Sequence, residues 1–533
     1  MKKNIKKISN GVQKFDLIII GGGAGAFAAA IRANELKAKT VIINAGLPLG
    51  GTCVNVGCVP SKILLWAGET MHHAKHHGIP GIDIEVKNFD FQKVVQNELS
   101  LVEHMRQEKY EKVLKNLDYV TLIEGKAKFV SQNEIEVNPA PEQSSVRGRR
   151  LKKDTMSALP RSERAERVLL RGEKFIIATG STANVPSIEG ITEVGFVTHI
   201  EALRLEKQPK ELVIVGAGPV GLEFAQMFSR FGTKVTVLQR GNSIFPHSEK
   251  TLTDRLAEVL SKEGITIKTN VEVKSARKEN GKKIISYLIN GKLEEVSGDE
   301  ILLATGKTPN TQGLGLDVVG VEINKQQAVV VNQNFQTSNK NIFAVGDITG
   351  APVRLETTAG REGTLAAENV LSARGGSAFG GKGTQLFIDY NTVPYAIFTD
   401  PQLAGVGFTE DEQMNPVRGR TRNTSAASNG VKQMGVCACR TVSFADVPKA
   451  IIMRRTEGLI KMMIHPQTKQ ILGVHILAPN ASELIAEAMM LVKNKNTIDD
   501  VVNSLPMFPT LSEAIKIVAL SFTKDISKLS CCI

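Results

Sequence analysis

Phe15-Asp16-Leu17-Ile18-Ile19-Ile20-Gly21-Gly22-Gly23-Ala24-Gly25-Ala26 opens as an apolar, β-branched run and breaks into glycine before an alanine-rich stretch. A short continuous apolar run bounded in this way fits a strand buried on both faces. The glycines permit a turn too tight for side chains, and the alanines that follow favour a helix. Thr40-Val41-Ile42-Ile43 supplies the next buried strand, so the segment reads as a strand–helix–strand unit. The same design returns in Leu212-Val213-Ile214-Val215, Gly216-Ala217-Gly218-Pro219-Val220-Gly221, a helix over Leu222 to Phe231, and the strand Lys234 to Leu238. Gly216 follows Gly21 by 195 positions.

Turns of the form G-x-G-x-x-G/A between a strand and a helix bring a pyrophosphate against backbone N–H groups at the helix N-terminus. One match alone is a weak signal, whereas two in the same context predict two dinucleotide sites. Gly21, Gly23, Gly25 and Ala26 would line the first, and Gly216, Gly218 and Gly221 the second. Two further strands end alike, in Ala178-Thr179-Gly180 and Ala304-Thr305-Gly306, which reinforces the repeat. Leu99 to Leu117 reads as an amphipathic helix. From about Gln385 short strands (Leu459 to Ile464, Ile471 to Ile476) alternate with helices (Ala481 to Lys493, Leu511 to Thr523). The expected fold class is α/β, with two Rossmann-like dinucleotide-binding domains and a C-terminal α+β dimerisation domain. The expected boundaries are 1–200 with a polar insertion at about 139–170, 201–325, a return to the first domain over 326–384, and 385–533 with an insertion at about 415–433.

A chain of 533 residues with 42% hydrophobic content can build several cores. Six cysteines (53, 58, 437, 439, 531 and 532) are too few for a secreted disulfide scaffold. The apolar run Leu17 to Ile31 is broken by Gly21-Gly22-Gly23 and is too short to span a bilayer, so no membrane insertion and a cytoplasmic location are expected. Much of the net charge of +12 lies in two polar stretches, Pro139 to Arg167 and Asn415 to Lys432. Neither interleaves aromatics with its basic residues, so no nucleic-acid partner is expected.

The end of the second strand of a dinucleotide fold reports on the ribose, through a carboxylate for a 2′-hydroxyl or an arginine for a 2′-phosphate. The second unit ends Leu238-Gln239-Arg240, which favours NADPH with Arg240 as the phosphate partner. The first unit carries Asn44 there, able to hydrogen-bond the ribose of FAD without charge assistance. Asp347, after Asn341-Ile342-Phe343-Ala344-Val345-Gly346, is placed for a second flavin contact near the ribityl-phosphate region. Thiols stand at both ends of the chain: Gly51-Thr52-Cys53-Val54-Asn55-Val56-Gly57-Cys58-Val59-Pro60-Ser61-Lys62, and Cys531-Cys532 before Ile533. Paired thiolates are both redox centres and ligands for soft metals.

Through Gly21 to Ala26, Cys53 to Lys62, Gly216 to Glu223, Ala304 to Asn310 and Gly346-Asp347, the chain resembles the two-dinucleotide flavoprotein disulfide reductases, the class I pyridine nucleotide-disulfide oxidoreductases, over nearly its whole length. Within that family it is most similar to the mercuric reductase branch. Other branches carry a His-Pro-Thr segment whose histidine is the thiol acid/base. Here the stretch is Met507-Phe508-Pro509-Thr510-Leu511-Ser512-Glu513, and Phe508 cannot transfer protons. The terminal Cys-Cys is the second feature of that branch. Its N-terminal metal-binding module, with a G-M-T-C-x-x-C motif, has no counterpart in this sequence, so metal delivery by partner thiols or from solution is expected.

The resemblance implies a reaction: NADPH reduces FAD, reduced flavin opens a Cys53–Cys58 disulfide, and Hg(II), the substrate, is reduced to Hg(0). Cys58 would lie against the isoalloxazine and Cys53 would be the more accessible, exchanging thiol. Cys531 and Cys532 would take Hg(II) from small thiols and pass it to Cys53 and Cys58, reaching the partner subunit's site in a homodimer. Lys62 would pair with Glu223 near the flavin, and Tyr110 would stand beside the inner thiols. Gly46, Gly51, Thr52, Ala127 and Leu355 join the flavin contacts by the same carry-over. The rival reading is a disulfide reductase of the dihydrolipoamide dehydrogenase kind, which Phe508 disfavours. His72, His73, His76 and His77 form two i,i+4 pairs and are expected to be plain surface residues without a carboxylate shell. Cys437 and Cys439 are expected to be incidental thiols.

Overall fold

The computed structural model describes residues 12–139, 167–371, 387–414 and 437–530. Most of both basic stretches, and Cys531 and Cys532, lie outside the described residues. The chain divides into two compact units, Met1–Cys58 with Ser100–Thr182 and Lys307–Ile388, and Val59–Leu99 with Ala183–Gly306 and Asp389–Ile533.

The first unit is built on the first apolar run. Strand Gln13–Ile20 lies parallel between Thr40–Asn44 and Val168–Ile177, with Ile18 opposite Val41 on one side and Phe175 on the other. Strand Val120–Ser131 continues the parallel sheet beyond Thr40–Asn44, and Ile342–Ala344 adds at the other edge. Glu134–Pro139 pairs antiparallel with the long ends of Val120–Ser131 and Val168–Ile177. Both faces of the sheet are covered, as the unalternated apolar pattern requires: Leu17, Ile19 and Ile42 face one core, and Ile18, Ile20 and Val41 another. The helix Ala24–Glu35 packs against Glu356–Val370 so closely that a Cβ on Gly363 would stand 2.0 Å from the Gly25 carbonyl oxygen.

In the second unit, Glu300–Leu303, Glu211–Val215, Lys234–Leu238 and Thr266–Lys268 form a parallel sheet in that order. The helix Pro219–Arg230 buries Leu222, Phe224, Ala225, Met227 and Phe228. A three-stranded antiparallel sheet follows, with Lys282–Ile289 at its centre. The C-terminal part is a five-stranded antiparallel sheet in the order Tyr395–Ile397, Gln402–Gly407, Ile471–Ala478, Leu459–Ile464, Ala438–Ser443. Helices Ala481–Lys493 and Glu513–Leu520 cover its core face.

Two expectations are corrected. The helix read as Leu99 to Leu117 begins at Phe91, where the Asp90 carboxylate accepts the Lys93 N–H at 3.1 Å. It runs to Arg106, loosens into a π-helical turn over Gln107–Glu111, and ends in Lys112–Lys115. The last helix is shorter than Leu511 to Thr523, covering Glu513–Leu520.

Candidate active site

The first Gly-rich turn is sterically obligatory. Gly21 has φ +124°, and a Cβ there would meet the Ala178 carbonyl oxygen at 2.2 Å. Gly23 caps the helix Ala24–Glu35 with no side-chain bond, and a Cβ there would meet only Gly51 Cα, at 3.9 Å. The helix N–H groups are therefore left to an outside acceptor, and the backbone is open for it, so the turn fits a pyrophosphate. Asn44 is buried beneath the turn, its Nδ2 donating to the Leu47 carbonyl at 2.9 Å. Its Oδ1 packs against Gly22, where a Cβ would stand 2.3 Å away. Asp347 lies in the turn Gly346–Thr349, and Ser181 Oγ donates to its Oδ2 at 2.6 Å. Glu362 accepts the Gly346 N–H at 2.6 Å and holds that turn in place. Leu355 precedes the helix Glu356–Val370, and Ala127 is buried in the third strand of the sheet.

The thiol loop is bound to this turn. Gly50 N–H donates to the Gly22 carbonyl at 2.8 Å, and Gly51, at φ +61°, sits where a Cβ would stand 2.6 Å from Gly23 Cα. Asn55, 4% exposed, donates from Nδ2 to the carbonyls of Pro48, Leu49 and Gly51, and its Oδ1 accepts from Arg106 at 3.3 Å. Cys53 sits in the short helix Gly51–Val56, and Cys58 starts the next helix, Cys58–His76. No disulfide joins them, and their thiols are hydrogen-bonded to each other. That bond, burial, and the negative charges of Cys58 and Glu356 push the Cys53 thiol well above its ordinary value. The pair is thus coupled, each thiol's proton bearing on the other's.

In the chain by itself Cys58 is exposed and Cys53 half-buried. The cause is local. Cys53 lies within a closed helical turn facing Tyr110 and Glu356, whereas Cys58 starts a new helix after the break at Gly57.

Tyr110 belongs to the π-helical turn, a distortion that re-aims a side chain out of helical register. Its ring packs edge-on against Phe27 with centroids 4.9 Å apart, and a Cβ on Gly50 would meet ring atom Cε2 at 2.9 Å. Burial, then the charges of Glu356, Cys53 and Cys58, push the phenol up to about 12. The hydroxyl keeps its proton and can donate toward sulfur. Lys307, which follows the second Ala-Thr-Gly turn, is drawn down by burial, and the negative charges of Asp347 and Cys58 pull it back. Its ammonium thus favours a thiolate at Cys58.

In the second unit, Gly216 has φ +109° and a Cβ would meet the Ala304 carbonyl oxygen at 2.4 Å. A Cβ on Gly221 would stand 1.9 Å from the Gly216 oxygen. At Gly218, which caps Pro219–Arg230 without a side-chain bond, no atom lies within 4 Å of an added Cβ. This turn also fits a pyrophosphate. Gln239 spans the loop: its Oε1 accepts the Ala217 N–H at 3.1 Å and its Nε2 donates to the Ser243 carbonyl at 3.1 Å. Arg240 is exposed beside it. A neutral amide and an exposed guanidinium at the strand end suit a phosphorylated ribose.

Lys62 Nζ contacts Glu223 Oε2 at 2.7 Å and lies 4.4 Å over the Phe398 ring. The other Glu223 oxygen accepts the Phe398 N–H at 3.0 Å. Gln226, one turn along, exchanges two bonds with the Asp400 backbone, each 2.7 Å, and Arg230 reaches Asp400 Oδ2 at 3.1 Å. A stripe of Glu223, Gln226 and Arg230 on one helix face therefore grips the segment 398–400.

The histidines are not without carboxylates, which corrects the expectation. His73 Nε2 lies 2.9 Å from Asp400 Oδ2, and Glu69, His73 and Asp400 place donor atoms within 4.8 Å of one another. Glu69 stands one turn before His73 on the same helix, a spacing the sequence does show, whereas Asp400 comes from an element remote in sequence. Asp400 is already bonded by Arg230 and Arg455, so the cluster is balanced as an ion network rather than built for a cation. Burial, then Arg230, pull His72 down to about 3. Phe508 is 46% exposed, and Glu513 behind it accepts the Thr510 N–H at 2.9 Å. Gly46 and Thr52 lie on either side of the loop that Asn55 ties, and Cys531 and Cys532 lie outside the described residues. Asn55, Gln239, Phe398 and Lys307 were not singled out by sequence; for Lys307 the repeated Ala-Thr-Gly strand end was the available signal.

Among the described residues no helix is long and apolar enough to cross a membrane. Residues 15–367 match the family model described as pyridine nucleotide-disulphide oxidoreductase, and residues 393–519 match its dimerisation domain. A mercuric reductase of Staphylococcus aureus is 34% identical over 97% of this chain and 84% of its own length. One from Streptomyces lividans is 33% identical, covering 97% and 98%. Among solved structures, a Cu(II) complex of the HOCl-induced flavoprotein disulfide reductase RclA from Escherichia coli superposes with a TM-score of 0.77 at 25% identity, over 96% of this chain and all of that one. Two open glycine turns, a hydrogen-bonded dithiol tied to the first of them, and these likenesses agree: the chain belongs to the pyridine nucleotide-disulphide oxidoreductase family, whose members work with FAD and NAD(P)H.

Proposed function

We propose that this oxidoreductase reduces Hg(II) to Hg(0) at the expense of NADPH. The observation that carries the reading is the Cys53–Cys58 pair, two soft donors in mutual hydrogen-bond contact whose charges bear on Tyr110. Bound FAD would supply a two-electron relay between the nicotinamide and this pair. The turn Gly21 to Gly25, with Asn44 and Asp347, would hold the flavin nucleotide, and the turn Gly216 to Gly221 with Arg240 the NADPH. Residues 1–200 and 326–384 would form the flavin lobe, 201–325 the NADPH lobe, and 385–533 the dimer contact. Lys62 is fixed by the Glu223 carboxylate and the Phe398 ring, and Glu223 is itself held by the Phe398 N–H.

Hg(II) binding at Cys53 and Cys58 requires both sulfurs as thiolates, the form that ligates. Lys307 offsets the negative charge gathered there, and the Tyr110 hydroxyl donates to sulfur as the metal leaves. The mercuric reductase relatives over 97% of the chain support the choice of metal. Phe508 supports it too, since disulfide exchange on an outside substrate needs a proton donor at that place. Cys531 and Cys532 would deliver Hg(II) to the partner's thiols in a homodimer, in a reducing, cytoplasmic setting.

The test is anaerobic NADPH consumption by the flavin-loaded chain with Hg(II) in excess small thiol, beside lipoamide. The account predicts consumption that depends on Hg(II), with a rate on lipoamide lower by at least about a hundredfold, the scale of a missing general acid. Equal or faster turnover of lipoamide would establish the disulfide-reductase alternative instead.

A further inference from the structure

A second thiol pair lies in the other compact unit. The strand Ala438–Ser443 runs antiparallel to Leu459–Ile464, with Cys439 opposite Met463 and Thr441 opposite Lys461. Cys437 immediately precedes this strand, two residues from Cys439. The period of two in an extended chain puts both cysteines on one face. Their Sγ atoms are 3.2 Å apart, and both side chains are half-buried. Burial, the hydrogen bond and charge of Cys437, and then the charge of Glu410 push the Cys439 thiol up, while Lys461 pulls the other way. Lys461 is itself buried, held by Glu249 Oε2 at 2.7 Å and by Glu410. Cys439 thus lies beside a fixed ion network of Lys461, Glu249 and Glu410 rather than in bulk solvent alone.

We propose that Cys437 and Cys439 form a chelate for a thiophilic d10 cation of the Hg(II), Cd(II) or Cu(I) class. Two thiolates are the donor set such ions prefer. Around a tetrahedral cation of zinc size, sulfurs about 2.3 Å away stand about 3.8 Å apart, and larger or linearly coordinated ions hold them farther apart. Opening the pair from 3.2 Å to that distance needs only small side-chain rotations, because Cys437 lies outside the paired strand. The step is ligand exchange without electron transfer. Two S–H bonds break and two metal–sulfur bonds form, while two ligands, such as small thiolates, leave with the released protons. The site is independent of the mercury-reducing reading.

The experiment uses the full chain with Cys53, Cys58, Cys531 and Cys532 all changed to Ser, titrated anaerobically with Cd(II) under reductant. One Cd(II) per chain should bind with a cadmium–thiolate ultraviolet band. Adding Cys437→Ser or Cys439→Ser alone should weaken binding by on the order of 100-fold, the loss of a two-point attachment. In the wild-type chain, phenylarsine oxide should bridge the two sulfurs with loss of water and add its mass to the peptide containing both. Absence of the band, a band indifferent to either serine, or no arsenical on that peptide would each overturn the proposal.

Discussion

Tyr110 is the residue at which local distortion and electrostatics meet. Its phenol, pushed up to about 12 by burial and by Glu356 and the two thiols, is a hydrogen-bond donor at every working pH. Tyr110→Phe should keep flavin content and lower the turnover number with Hg(II) about tenfold, the scale of one hydrogen bond to a charged group; steady-state kinetics at saturating NADPH checks this. Glu98 offers a test that does not touch the site. It is 1% exposed, its Oε2 has no hydrogen-bond partner, and burial raises it to about 7. In the unfolded chain it titrates in the ordinary carboxylate range, so the folded form binds the extra proton, and stability is lost as pH rises through about 7. Glu98→Gln should melt higher than the parent at pH 8.5, and the difference should shrink toward pH 5; a gap that is constant with pH would refute the assignment. Lys307→Met should move the thiolate titration of Cys58 to higher pH, read from the flavin–thiolate absorbance.

At the scale of elements, the helix pair Ala24–Glu35 and Glu356–Val370 depends on absent side chains. Gly363→Ala would drive a methyl to 2.0 Å from the Gly25 oxygen. Such overpacking costs about 1–3 kcal/mol, so a lower melting temperature and reduced flavin retention are expected. The first strand–turn–helix unit and its repeat were legible in the sequence because glycine sterics and apolar runs are local properties. The strand Leu459–Ile464 and the helix Ala481–Lys493 were equally plain, each having one clear period between turn residues. The π-helical turn was not, since its residues continue the helical periodicity of the preceding segment. Nor was the grip on segment 398–400: Gln226 and Asp400 are far apart in the chain, and no spacing rule couples them. The Lys62–Glu223 ion pair was foreseeable only through family likeness.

For the whole molecule, the dimerisation domain at residues 393–519 carries Leu505, Met507 and Phe508 with 94%, 77% and 46% of their surfaces exposed. Apolar side chains so exposed in one segment are the mark of a covered interface. Sedimentation of the flavin-loaded chain should give twice the 57.7 kDa monomer mass at micromolar concentration, and Leu505→Glu with Met507→Glu should shift it toward monomer. The central claim is that electrons from NADPH end on a mercury ion held by Cys53 and Cys58. It is tested most directly by collecting mercury vapour from an anaerobic reaction while following NADPH at 340 nm (about one two-electron donor per metal ion reduced). The account predicts one Hg(0) for each NADPH and no vapour from the flavin-loaded Cys58→Ser variant. NADPH consumed without vapour, or undiminished vapour from that variant, would contradict it.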